Sequence, residues 1–207
     1  MSKMEEIMVK LKFYPVKPAT RRDPADADLA QFEGTIGGEL PADYRLFLKK
    51  FGRSGLELGA RFEIRDPCPC GQSGRVLQFY GFSTIPTEDI VYKTMETYAG
   101  RIPDETIPIA DDPGGNLILL GFEGAATDKV WFWDHEHREL DAGEFEKIIA
   151  DIEAKGVDAS ALDEHEIIRQ WEQLFPEKRK KPARYGNMYA IADSFMEFLG
   201  LLHPNRT

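Results

Sequence analysis

Two amphipathic helices open the pattern of apolar and polar positions. Leu29, Phe32 and Ile36 recur at i, i+3 and i+7, which predicts a helix over Pro24–Thr35 that Gly37-Gly38 stops. Pro41 favours a second helix start, with Tyr44, Phe47, Leu48 and Phe51 striping one side and Gly52 closing it. The two are expected to pack as a hairpin. Strand-like runs follow at Leu56–Ile64 and Arg75–Phe82, separated by a loop rich in Pro and Gly. Thr87–Tyr98 predicts a helix with Thr87 as its N-cap and Gly100 as its stop. Thr106–Ala110, Asn116–Phe122 and Lys129–Asp134 then read as three strands of an antiparallel meander, joined by turns at Asp111–Gly115 and Glu123–Asp128. Their unbroken apolar runs predict burial on both faces. Beyond Leu140 the pattern turns helical again. Helices are expected over Glu144–Ala154, from Ser160 to about Phe175, and over Met188–Leu202, with a basic, proline-containing linker before the last. There is no internal repeat.

Composition adds size and charge to this outline. The chain has 207 residues, 42% hydrophobic and 30% charged, enough to bury a core without disulfides. Net charge is −10, from 26 Lys and Arg against 36 Asp and Glu. Phosphate affinity comes from Lys and Arg, so an acidic chain is a poor general binder of nucleic acid and a better match to a basic protein. The charge is uneven: residues 134–169 carry twelve acidic and four basic groups, whereas residues 1–22 and Glu177–Arg184 each carry a net +4. The first twelve residues hold no apolar run of signal length, and Leu117–Phe122 is too short to span a bilayer. Cys68 and Cys70 are poorly spaced to bridge each other and suggest a reducing compartment. The expectation is a cytoplasmic protein with no membrane partner.

Candidate chemistry is sparse. The sequence lacks G-x-G-x-x-G, a P-loop, G-x-S-x-G and H-E-x-x-H. Cys68-Pro69-Cys70 offers two soft ligands where a structural zinc needs four. His135 and His137 in a strand would point to one side and, with Asp134, Glu136 and Asp141, sketch a metal or general-base site. The competing reading is the polar end of a strand. Asp111 and Asp112 open a Pro-Gly-Gly turn, where carboxylates accept backbone N–H bonds before they bind cations. Lys178–Lys181, flanked by prolines, reads as a solvated loop.

These segments, in their order, resemble a known family. The order is Leu29–Ile36 with Glu33, Leu40-Pro41-Ala42-Asp43-Tyr44, Phe47-Leu48 and Gly52. Phe79-Tyr80-Gly81, Ile109-Ala110-Asp111-Asp112 with Gly114-Gly115-Asn116, and Val130-Trp131-Phe132-Trp133-Asp134-His135-Glu136 follow, then Ala192-Asp193-Ser194-Phe195 and Glu197-Phe198-Leu199. The pattern is similar to the SUKH superfamily, which groups bacterial immunity proteins of toxin systems with a fungal cell-wall-assembly regulator. The chain departs from it in the stretch of about fifty residues, 140–187, before the final helix, and in Phe51 where the family tends to have Asn.

The resemblance implies an α+β fold, a mostly antiparallel sheet with packed helices. The expected organisation is a single domain over residues 1–207, its core about 26–136 plus 188–202, with a helical insertion at about 140–187 before the C-terminal helix. It also implies a non-catalytic binder without cofactor or metal. The partner expected is a basic, nuclease-type toxin domain, and the acidic groups expected to face it are Asp111, Asp112, Asp134, Glu136 and Asp141, with Glu33 added from the family pattern. A regulatory or scaffold module is the alternative, and a small metal-dependent enzyme built on Asp134, His135 and His137 the third.

Overall fold

The computed structural model describes residues 1–16, 19–69, 71–99, 101–135, 142–162, 164–175 and 187–204. An α+β fold results, with all strand pairings antiparallel. The strands are β1 (Phe13–Pro15), β2 (Ser54–Glu63), β3 (Ser73–Phe79), β4 (Thr106–Asp111), β5 (Leu117–Gly121), β6 (Val130–Trp133), β7 (Met188–Ala192) and β8 (His203–Pro204). They form one sheet in the order β1 to β7, and β8 shares the outer edge of β2 with β1. The expected meander is β4-β5-β6, and β5 is buried at every position, as its unbroken apolar run requires.

The sheet is rolled rather than flat. Phe62 of β2 and Phe132 of β6 stand four strands apart in the sheet order, yet their ring centroids are 6.1 Å from each other. Four strand spacings of about 4.8 Å in a flat sheet would separate them by roughly 19 Å. Gly59, at φ +71°, supplies an irregularity in β2 where its register with β3 shifts. The roll brings the segment after β2 against the last strand. Arg65 N–H donates to Ala190 O at 2.8 Å, and the Asp66 carboxylate accepts from Ala190 N–H at 2.7 Å. Backbone groups of β7 that face away from β6 are thereby satisfied.

The helices fill and cover this roll. They are α1 (Lys3–Lys10), α2 (Asp26–Ile36), α3 (Ala42–Phe51), the single turn α4 (Ile90–Tyr92), α5 (Ala142–Glu153), α6 (Glu164–Leu174) and α7 (Phe195–Leu201). Phe47 of α3 meets Phe79 of β3 at 4.9 Å and Phe195 of α7 at 5.0 Å, and Phe198 of α7 reaches Phe62 at 5.8 Å. This aromatic cluster is the centre of the main core. The hairpin expectation for α2 and α3 is met, with Arg45 of α3 paired to Glu33 and Asp26 of α2 and Lys49 paired to Asp26.

A second, separate core lies between α5 and α6. Ile148 and Ile152 of α5, Ala159, and Ile167 and Trp171 of α6 bury one another with Phe175. Trp171 Nε1 donates to Asp151 Oδ2 at 2.9 Å, fastening α6 to α5.

Several elements differ from the sequence reading. Residues Met188–Leu202 are not one helix but β7 followed by α7. Ser194 accepts a hydrogen bond from Glu197 N–H, and the Glu197 carboxylate accepts from Asp193 N–H, so a helix cap interrupts the stripe. The helix over Thr87–Tyr98 breaks into a 3-10 turn (Pro86–Glu88), α4 and a π-helical turn (Lys93–Thr97), and Asp89 rather than Thr87 is the cap of α4. The helix expected from Ser160 starts at Glu164, with Ser160 inside a 3-10 turn capped by Asp158. Cys68 is disulfide-bonded, against the expectation of unbridged thiols; Cys70 lies outside the described residues. Among the described residues no helix is long and apolar enough to cross a membrane.

Candidate partner-binding site

The meander brings three of the six predicted acids, Asp111, Asp112 and Asp134, to one end of the sheet. Register sets Asp111 opposite Leu117, and Leu117 opposite Trp133, so the residues just beyond these strand ends converge. Asp112 folds the β4–β5 turn. Its carboxylate accepts from Gly114 N–H at 2.8 Å, Asn116 N–H at 2.9 Å and the Asn116 side-chain amide at 3.2 Å. Gly115 carries φ +90°, and a Cβ there would press on the His135 ring at 3.3 Å. Asn116 Oδ1 accepts in turn from His135 N–H at 3.1 Å and lies 2.8 Å from His135 Nδ1. An Asp112–Asn116–His135 chain therefore ties the β4–β5 turn to the end of β6.

Asp134 sits beside this chain but inward, 1% exposed. Its backbone is doubly bonded to Asn187, which donates from its side-chain amide to Asp134 O at 2.7 Å and accepts from Asp134 N–H at 3.0 Å. Asp111 is half-buried. Tyr80 O–H donates to its Oδ2 at 3.0 Å and Gln78 Nε2 lies 3.4 Å away. Burial raises the Asp111 pKa, opposed by these two donors and by the positive field of Lys93. The Tyr80 hydroxyl is pushed up as well, first by burial, then by the Asp111 charge and a hydrogen bond with Tyr98.

Glu33 is not part of this end. It joins α2 to α3, pairing with Arg45 and accepting from Leu40 N–H at 3.1 Å. Glu136, Asp141 and His137 lie outside the described residues. Among the described residues no group of three or more His, Cys, Asp and Glu side chains is placed to hold a metal ion.

Cations and aromatics beside the acids were not legible as a cluster. Lys93 Nζ stands 5.8 Å over the Tyr80 ring, and Arg101 lies 5.7 Å from the Tyr98 ring and 5.9 Å from that of Trp133. Trp133 is buried, and its Nε1 has no hydrogen-bond partner among the described residues. Phe79-Tyr80-Gly81 drew notice only for its resemblance, and no spacing links Tyr80 to Tyr98, Arg101 or Trp133. Chemically, the sheet end is a network of hydrogen bonds that holds the β4–β5 turn against the end of β6.

The family model described as SMI1 / KNR4 family (SUKH-1) matches residues 23–153, from just before α2 to the end of α5. The SPbeta prophage-derived uncharacterized protein YokK of Bacillus subtilis (strain 168) is similar, 30% identical over 155 residues that make up 66% of this chain and 78% of that protein. No solved structure matches the chain. With well over half its length matched and a rolled antiparallel sheet beneath the match, the chain belongs to the SMI1/KNR4 (SUKH-1) family.

Proposed function

We propose that this chain is an immunity protein of the cytoplasm, which binds a basic, nuclease-type toxin domain and blocks it without catalysing a reaction. The family covers immunity and cell-wall-regulator kinds of roles. The observation that supports immunity is the net charge of −10 on a family fold. An acidic protein is complementary to the basic groove by which a nuclease holds its substrate, and such complementarity speeds encounter and rejects wrong partners. Asp111, Asp112, Asp134, Glu136, Asp141 and Glu33 enter this reading as sources of that field. Single domain organisation, with the two inserted helices as an addition, is part of the same reading.

The test is an affinity capture at low salt, repeated at high salt, followed by co-expression of any captured toxin domain with the chain. A basic, salt-sensitive partner whose toxicity the chain relieves supports immunity. Charge reversal at Asp111 and Asp112 together should slow association, and unchanged kinetics would take the strand-end acids out of the account. A stable, salt-resistant host complex that carries no toxin would move the assignment to the regulatory or scaffold role.

A further inference from the structure

A cavity lies away from the strand-end acids, between α2 and the broken helix at 86–97. It has a volume of ≈ 430 Å³ over a floor of Phe32 and Phe82, whose rings meet edge to face at 6.1 Å. A second cavity of ≈ 270 Å³ continues from it, floored by Ile102 and Phe122. Thr35 and Met95 line both cavities, so the two form one groove with two apolar subsites. Close approach of the α2 end makes the second subsite. Gly38 carries no Cβ, and one there would run into the Phe122 ring.

The wall opposite α2 is irregular. The π-helical turn at Lys93–Thr97 follows the single turn of α4, and leaves Tyr92 and Met95 38% and 39% exposed at the groove. Exposed Met at a groove adapts to varied apolar side chains. The lining is also charged in one sense. Among the described lining residues, Asp28, Glu96 and Asp104 stand at the groove with one cation, Arg22, while Asp89 is buried and its carboxylate accepts from Ser83 and Val91 N–H. Arg22 is already engaged, paired with Asp28 at 2.6 Å and stacked 4.9 Å over Phe82. Glu96 is exposed and has no ion-pair partner among the described residues.

We propose that this groove is the docking site for a basic amphipathic helix of the partner, which seats two apolar side chains in the two subsites and sets flanking Lys or Arg against the acidic rim. The proposal rests on the reading of the chain as a binder of a basic toxin, and names the surface it uses. Charge complementarity carries the choice of occupant. The walls are helix side chains rather than a strand edge, so strand addition is not available there, and a helix laid in the groove is the mode that fits. The groove also explains why the Asp112 carboxylate need make no contact: its hydrogen bonds are spent on Gly114 and Asn116.

The test uses the full chain and two short synthetic helices as probes, both with Leu at i and i+4, one flanked by Lys and the other by Glu. Binding is read by fluorescence anisotropy and located by hydrogen exchange. The Lys-flanked helix should bind and slow exchange in Asp26–Ile36 and Ile90–Thr97, and the Glu-flanked one should not bind. Met95→Glu and Thr35→Trp, both at exposed positions that leave the core intact, should each weaken binding by about ten-fold or more. Glu146→Lys with Glu153→Lys on helix α5 should weaken it less than about three-fold, because those charges act at a distance. Protection elsewhere, equal binding of the two probes, or groove variants that bind like the parent would overturn the proposal. Co-expression separates it from the reading beneath it. If the Met95→Glu chain protects cells from a toxin as well as the parent does, the groove assignment falls and immunity stands. If the Lys-flanked probe binds in the groove and no toxin is neutralised, immunity falls and the groove stands.

Discussion

Ile152→Ala tests whether α5 and α6 hold together on their own core. Ile152 is completely buried in the second cluster, among Ile148, Ile167, Trp171 and Phe175. Truncation removes three carbons, a transfer loss of roughly 2.4 kcal/mol at about 0.8 kcal/mol each. The cavity left behind raises this toward the range of ~2–5 kcal/mol found for such changes. The helices it joins are 12 and 11 residues long. Isolated helices of that length are marginal in water, so the pair depends on its shared core. Local units of this kind open with a few kcal/mol, well below global stability. The substitution should therefore melt α5 and α6 and leave the main core nearly untouched. Hydrogen exchange should rise to the unprotected rate across both helices, and far-UV circular dichroism should lose their share of helix. The urea midpoint of the main core, read from its aromatic near-UV signal, should stay within about 0.5 kcal/mol of the parent, the additivity expected of distant sites. Retained protection in both helices would refute the reasoning. So would a loss of the full ~2–5 kcal/mol from a single shared transition, since the two cores would then be one cooperative unit.

Three further substitutions probe the main core and the sheet end. Gly121→Ala should cost about 3 kcal/mol or more, because the added Cβ meets the backbone carbonyl of Ala126, which cannot swing aside; soluble yield and urea denaturation would show it, and a parent-like midpoint would contradict it. Tyr44→Phe should stabilise the chain by about 1 kcal/mol, since the Tyr44 hydroxyl is fully buried without a hydrogen-bond partner among the described residues; a lower urea midpoint would show that the hydroxyl is bonded after all. Asp111→Asn should flatten the acid-to-neutral stability profile. Because burial raises the native pKa of Asp111 above its unfolded value, the native state holds more protons between the two, and stability falls as pH rises through that window. The variant keeps an acceptor for Tyr80, gains stability at neutral pH, and an unchanged slope would refute the assignment.

The sequence reading succeeded where hydrophobic periodicity and turn chemistry agreed. The α2–α3 pair, the β4-β5-β6 meander and the Asp112 turn all have both signals. It failed where one stripe ran through two elements. Ile191, Phe195, Phe198, Leu199 and Leu202 fit a single helix, but Ser194 with Glu197 three residues on marks a start inside the stripe. Met188–Ala192, an apolar run with no helical polarity, was the missed strand. The N-terminal residues carry a helix that neither their charge nor their lack of a long apolar run reveals. Ser2 and Glu5 form a reciprocal cap there, and Met4, Met8 and Leu11 form the buried stripe of α1. The π-helical turn had no local signal at all, because its geometry depends on what the segment packs against. For the same reason the groove, shared among residues 22 to 122, could not be read from spacing.

The predicted site residues divide along a physical line. A carboxylate at a strand end attracts attention as a charge, but it is also the acceptor that a tight turn requires. Asp112 has three donors and Asp134 is buried, so neither offers a free carboxylate face for a partner to meet. Glu33 is likewise committed to Arg45 and to Leu40 N–H. Their charges still add to the potential around the molecule, and at physiological salt that potential reaches about 8 Å before it is screened. Contact energy needs something different, namely apolar surface that is exposed now and can be buried on binding. The exposed Met95 and Tyr92 beside the unpaired Glu96 meet that requirement. Long-range steering by the chain's acids and short-range anchoring in the α2 groove are then separable. Salt should slow association through the first, and Met95→Glu should speed dissociation through the second.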